Sequence, residues 1–283
     1  MAAEFLLHLE SYFKKFVDED TQRRIDLIAH RESSSDFGVD QFGFDARSLI
    51  SIAPFMVWLY RHYFRCEVVG AENIPDGRMM VIANHSGQLP FDGAMIITSF
   101  ILEPNHPRFL RGMVEKWSSE LPFISTLFAR LGQVVGTPST CKKLLEQDNG
   151  VIVFPEGVEG ISKLFSDRYK LTRFGNGFMR IALSAQAPIV PVALIGAEEQ
   201  APAIANLAPL AKALSLPALP IIFPQLIPLP LPTKYRIYIG EPLHFSGDGT
   251  EDDDEIRAFV QKTKDTIQAM IHQGLMQRKH IFF

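Results

Sequence analysis

The stretch MMVIANHSGQLPFDG, residues 79–93, limits what this chain can become more than any other. Residues 79–83 are uncharged and read as a buried strand. The strand runs out into a polar turn with Gly and Pro that carries Asn84, His85 and Asp92. A helix over residues 94–102 would sit behind that turn, and in open α/β sheets the ligand crevice lies at the carboxyl ends of the strands. An imidazole held there by a carboxylate on one ring nitrogen has the other free to take a proton from an alcohol. His85 is therefore the candidate general base and Asp92 its orienting partner. Standing alone, His85 reads first as a hydrogen-bonding cap of the turn; two more strand exits change that reading.

The second exit is VIVFPEG, residues 151–157, another buried strand followed at once by Pro155, Glu156 and Gly157. Glu156 lies at the same kind of strand end as His85, either facing the site or bonding to neighbouring backbone amides. The third strand, residues 189–195, is introduced by Ala187 and Pro188 and closes at Gly196. Three exits on one sheet edge can enclose one site.

Further strands are expected over residues 67–69, 108–113, 133–135 and 235–240, and helices over 125–131, 140–147 and 178–185. A last helix opens at Thr250 in an acidic run, residues 251–255, which suits a helix N-terminus better than a metal site. Strands alternating with helices predict an α/β fold, a single domain with a largely parallel or mixed central sheet flanked by helices. Residues 65–283 make up that domain. Residues 1–64 form an N-terminal helical segment. In it Phe5, Leu6, Leu9, Tyr12, Phe13, Phe16 and Val17 recur at helical spacing, a stripe for packing on the domain or for lying in a membrane interface. Residues 31–46 read as a linker or arm. Residues 49–60 are apolar and interrupted by Pro54, too short for a bilayer, which needs about 20 residues. Trp58, Tyr60, Arg61, His62, Tyr63 and Arg65 nevertheless suit a headgroup boundary. Residues 201–232 carry six prolines from Pro217 onward and no charge after Lys212, an apolar lobe that packs on the N-terminal helices or touches lipid.

Of the 283 residues 47% are hydrophobic, an ordinary globular composition, and a formal charge of −4 leaves no basic footprint for nucleic acid. Cys66 and Cys141 are the only cysteines and show no metal or redox spacing, which fits a reducing, cytoplasm-facing location. The opening MAAEFLLHLE lacks the basic start and cleavage site of a signal peptide.

These blocks resemble the glycerolipid acyltransferases that include the lysophosphatidic acid acyltransferases. Asn84, His85 and Asp92 look like that family's first motif and Phe154, Pro155, Glu156 and Gly157 like its third. Residues 187–191, APIVP, are similar to its fourth, and Gly132 and Gln133 fall where its second opens. The resemblance spans roughly residues 65–240. It implies transfer of a fatty acyl group from coenzyme A or acyl carrier protein to a lipid hydroxyl, with no metal or organic cofactor. Three departures stand out. The family's first motif sets His and Asp closer than the six intervening residues found here. The second and third motifs lack the cations that the family directs at the acceptor's phosphate, with residues 135–138 reading VGTP and Glu159 standing in the third. Lys163, Arg168, Lys170 and Arg173 either replace them or form a solvated surface. On this reading Asn84, Glu156, Gly157 and those four cations contact the acceptor. The acceptor is a lysophospholipid or, alternatively, a neutral lipid alcohol. The expected partners are an acyl thioester, a lipid and a membrane surface to which the protein attaches peripherally. A lipid serine hydrolase fits poorly, because Ser86, Ser162, Ser166 and Ser246 all lack the Gly-x-Ser-x-Gly frame. A non-catalytic lipid-binding module would have no use for His85 and Asp92.

Overall fold

The structure, a computed structural model, describes residues 11–32, 38–86, 90–115, 124–207, 220–222 and 230–282. In chain order its elements begin with α1 (Glu19–Glu32), α2 (Ala46–Trp58), β1 (Glu67–Val69), β2 (Met79–Ala83), α3 (Phe91–Leu102) and β3 (Leu110–Val114). There follow α4 (Ile124–Arg130), β4 (Val134–Val135), α5 (Pro138–Glu146), β5 (Gly150–Val153), α6 (Gly157–Ile161), α7 (Gly177–Ser184) and β6 (Ile189–Ile195). A two-stranded ribbon of β7 (Ala203–Asn206) and β8 (Pro220–Ile222) precedes β9 (Arg236–Ile239) and α8 (Asp253–Gln277). Residues 208–219 and 223–229 of the proline-rich lobe lie outside the described residues.

Seven strands form one sheet in the order β1-β9-β6-β2-β5-β3-β4. The run from β6 to β4 is parallel, β9 is antiparallel to β6, and β1 is parallel to β9. The expected mixed sheet is thus present, and its central strands explain their own sequences. Every residue of β2 and β6 is buried, as covering on both faces requires, so these strands read as unbroken apolar runs. Because side chains alternate across a strand, Met80 and Ile82 join the core under α5, α7 and α8. Met79, Val81 and Ala83 face the opposite core, with Met95, Ile96 and Phe100 of α3. Helix α8 opens on the Asp252 side chain, which accepts from the amides of Asp254 and Glu255, both at 2.9 Å.

The N-terminal helices pack on the domain. Ile25, Ala53 and Val57 join α1 to α2, and Ile28, Leu49, Ile101 and Phe109 join both to α3 and to the residue leading into β3. The described part of the N-terminal stripe follows them, with the Phe13 ring 5.2 Å from Phe55 and 5.1 Å from Trp58, centroid to centroid. Residues 1–10 are outside the described residues. Leu59, Tyr60 and Phe64 are buried, Arg61 pairs with Asp18 at 2.8 Å, and Arg65 donates to the Pro232 carbonyl at 2.6 Å. The arginines read as flanking a lipid boundary therefore make internal contacts. No described helix is long and apolar enough to cross a membrane.

The polar stretch read as a linker is anchored at both of its described ends. Arg111 of β3 is 3% exposed and bonds to Asp40 at 2.5 Å and to Glu32 at 3.1 Å, with its guanidinium 4.7 Å from the Phe44 ring. Removing a buried cation strands its carboxylates in a medium that cannot solvate them. Arg111→Met is expected to lower the unfolding free energy by about 3–5 kcal/mol in chemical denaturation.

Candidate active site

Where β2 ends, Asn84 replaces a strand pairing with a side chain. Its fully buried amide accepts from Leu194 N at 2.8 Å and donates to Leu194 O at 3.0 Å, so it stays attached to β6 while the backbone turns away. That turn presents His85, whose ring is partly exposed. Its Nδ1 lies 2.6 Å from Asp92 Oδ2, although six residues separate the two in sequence. Asp92 is fully buried in the first turn of α3 and also accepts from Ser86 N at 2.9 Å and from its neighbour Gly93 N at 2.7 Å. Between His85 and Asp92, residues 87–89 are outside the described residues, and Pro90 stands immediately before α3. With Nδ1–H donating to the carboxylate, Nε2 carries the imidazole lone pair.

The exit of β5 closes around the same histidine. The Phe154 ring stacks on His85 with centroids 4.3 Å apart and planes 24° from parallel. Glu156, its side chain buried, accepts from His85 N at 3.0 Å, from Thr172 N at 2.8 Å and from Thr172 Oγ1 at 3.1 Å. Lys163 Nζ lies 3.3 Å from Glu156 and 3.1 Å from Glu198. Glu198 comes from just beyond β6 and also accepts from Tyr169 N at 2.8 Å. Burial, with Glu156 nearby, pushes the Glu198 carboxyl above its ordinary range against the pull of Lys163. All three strand exits thus meet around one site.

Of the residues singled out from sequence, Asn84, His85, Asp92, Glu156 and Lys163 come together. Gly157 adjoins them with a left-handed φ of +53°. The other cations face outward. Arg168 lies over the Phe165 ring at 4.3 Å, Lys170 pairs with Asp167 at 3.0 Å, and Arg173 is exposed. Lys163 is the exception, with only 7% of its side chain exposed. Sequence reasoning missed the stacking of Phe154 and the part played by Glu198; the one signal for the latter was the acidic pair following the third strand exit.

Gly160 shows how closely α6 approaches the base. A Cβ there would lie 3.0 Å from the His85 Cβ and 2.9 Å from that of Glu156, closer than side chains pack. Gly160→Val is expected to displace His85 and lower kcat by about 10²-fold, the usual cost of misplacing a reacting group by an ångström. Steady-state kinetics on the folded variant, verified by circular dichroism, checks this.

Residues 65–195 match the acyltransferase family. An uncharacterised protein of Mycobacterium leprae is 38% identical over 263 residues, covering 88% of this chain and 71% of that one. A Gallus gallus protein named DGAT1/2-independent enzyme synthesizing storage lipids is 26% identical over 217 residues, covering 74% of this chain and 60% of its own. Among solved structures, the 1-acyl-sn-glycerophosphate acyltransferase PlsC from Thermotoga maritima superposes with a TM-score of 0.52 at 19% identity, covering 96% of this chain and 98% of that one. The strand exits, the paired His85 and Asp92 and these likenesses agree: the chain belongs to the acyltransferase family.

Proposed function

We propose that this acyltransferase moves a fatty acyl group from a coenzyme A or acyl carrier protein thioester to the hydroxyl of a glycerolipid, with His85 as general base. The 2.6 Å contact between His85 Nδ1 and Asp92 carries this reading, because it leaves Nε2 as the acceptor of a proton. Nε2 takes the hydroxyl proton as the acceptor oxygen attacks the thioester carbonyl. The carbon–sulfur bond then breaks, and the imidazolium returns its proton to the departing sulfur. Asp92 stabilises the imidazolium while it lasts. The chemistry needs no metal or organic cofactor.

An apolar cavity of about 240 Å³ supports a site for an acyl chain. It is lined by Val114 and Val135 at the carboxyl ends of β3 and β4 and by Phe128 of α4. Glu115, next to Val114, lies against Gly157, which ties this cavity's edge to the His85 site. Ile204 and Ile221 on the β7–β8 ribbon and Leu207 just beyond β7 are exposed and support peripheral contact with a membrane surface, taken here as cytoplasm-facing.

A second reading concerns the acceptor. A lysophospholipid needs a cation for its phosphate, and Lys163, buried beside Glu156, already faces two carboxylates. That burial, with Glu159 exposed on α6, favours an uncharged alcohol such as mono- or diacylglycerol. The name of the Gallus gallus relative points the same way.

His85→Ala is expected to lower acyl transfer by about 10²- to 10⁴-fold with the fold intact, and Asp92→Asn to be similarly impaired because an amide can hold the wrong tautomer. Wild-type turnover in a folded His85→Ala variant would sink the mechanism. For the acceptor, kcat/KM is compared for lysophosphatidic acid and monoacylglycerol with one acyl-CoA. Preference for monoacylglycerol is expected, and a strong preference for lysophosphatidic acid would restore the phosphate reading.

A further inference from the structure

Resting on that acyl-transfer reading, we infer that Lys163 is a positioning residue: an internal counterion shared by Glu156 and Glu198 that keeps the His85 backbone in register and does not contact the acceptor. Its ammonium donates to Glu198 Oε1 at 3.1 Å and to the Lys170 carbonyl at 3.4 Å, and it forms an ion pair with Glu156 Oε2 at 3.3 Å. Only 7% of its side chain reaches solvent, and the side chains of its carboxylate partners are 0% and 5% exposed. A cation so enclosed has its charge already answered by two carboxylates and is withdrawn from a lipid phosphate.

What Lys163 does have is leverage on the base. Glu156 Oε2 receives Lys163 together with Thr172 N and Oγ1, which leaves Oε1 directed at His85 N. His85 Nδ1 in turn binds Asp92, so the ring is fixed at its far side by α3 and its backbone is fixed by Glu156. Through Glu198 and the Lys170 carbonyl the same ammonium ties the segment leading to Thr172 to the exit of β6. Lys163 therefore joins the β5 and β6 exits, and the β2 exit hangs from Glu156.

The role is electrostatic and has a charge-balance signature. Without the ammonium, two buried carboxylates face each other, and one must take up a proton or admit water. Either response frees Glu156 to turn from His85 N. Removing the charge of Glu198 as well leaves Glu156 the lone carboxylate, still held by Thr172 and His85.

The test uses the full chain with Lys163→Met, Glu198→Gln and the double variant, assayed with one acyl-CoA against lysophosphatidic acid and monoacylglycerol. Lys163→Met is expected to lower kcat about tenfold or more for both acceptors, with KM within about twofold of wild type, as loss of preorganisation predicts. The double variant should recover to within about threefold of Glu198→Gln. Should Lys163→Met fail to fold, the comparison of the double variant with Glu198→Gln carries the same test. A rise in KM confined to lysophosphatidic acid, or a double variant no better than Lys163→Met, overturns the proposal. Amide hydrogen exchange at His85 supplies a readout that does not depend on turnover. Exchange should quicken in Lys163→Met and slow again in the double variant, and unchanged exchange in Lys163→Met also overturns it. A wild type that transfers to no acceptor would defeat the functional reading, while the exchange measurement still decides the role of Lys163.

Discussion

A carboxylate taken out of water must be met by N–H and O–H groups, and three of those that the carboxyl edge of this sheet buries share one network with His85. Asp92, Glu156 and Glu198 are 0%, 4% and 8% exposed. The cost of desolvating an ion is several kcal/mol even after relaxation, so the surrounding chain has little freedom in how it answers them. Asp92 is met by the imidazole and two amides, Glu156 by two amides, a hydroxyl and an ammonium, and Glu198 by an amide and the same ammonium. Each set of partners comes from more than one segment. Satisfying the charges therefore fixes the relative positions of the exits of β2, β5 and β6, which loops alone would leave loose.

The rest of the fold makes such burial tolerable. Parallel strands put all their carboxyl ends on one edge, and β6, β2 and β5 are adjacent, so three turns converge with no long excursion of the chain. The central strands are covered on both faces by helices, which removes water from beneath the site and strengthens each hydrogen bond within it. Helix α3 contributes twice. Its apolar residues pack on β2, and its first turn delivers Asp92 with an amide of its own to meet one carboxylate oxygen.

Much of this was legible in the sequence because the signals were periodic or local. Residues 79–83 and 189–195 announce themselves as buried strands by unbroken apolar runs, and the structure gives them those bounds. The placing of His85 and Glu156 at strand ends, and the mixed sheet, followed from the same pattern. What stayed hidden depends on tertiary geometry. A lysine ten residues past the β5 strand reads as a surface cation, since lysine is seldom buried, and nothing local to it names Glu198 as a partner. Phe154 reads as the last apolar residue of a strand, yet its ring is turned onto His85. The polar run at residues 31–46 reads as a linker because the cation that binds it, Arg111, lies on a distant strand.

The spacing of His85 and Asp92 shows why sequence distance is a poor guide to a site of this kind. The contact is fixed at its two ends and not by what lies between. On one side Asn84 pins the end of β2 to Leu194, and on the other the packing of α3 on β2 sets where its first turn begins. Ser86 N reaches the same carboxylate oxygen as the imidazole, so the turn is closed by a hydrogen bond one residue after the histidine. Residues inserted beyond that closure lengthen a loop whose ends are already held, and loop closure costs only a logarithm of length. The pair can therefore be kept at hydrogen-bonding distance while the number of residues between its members varies.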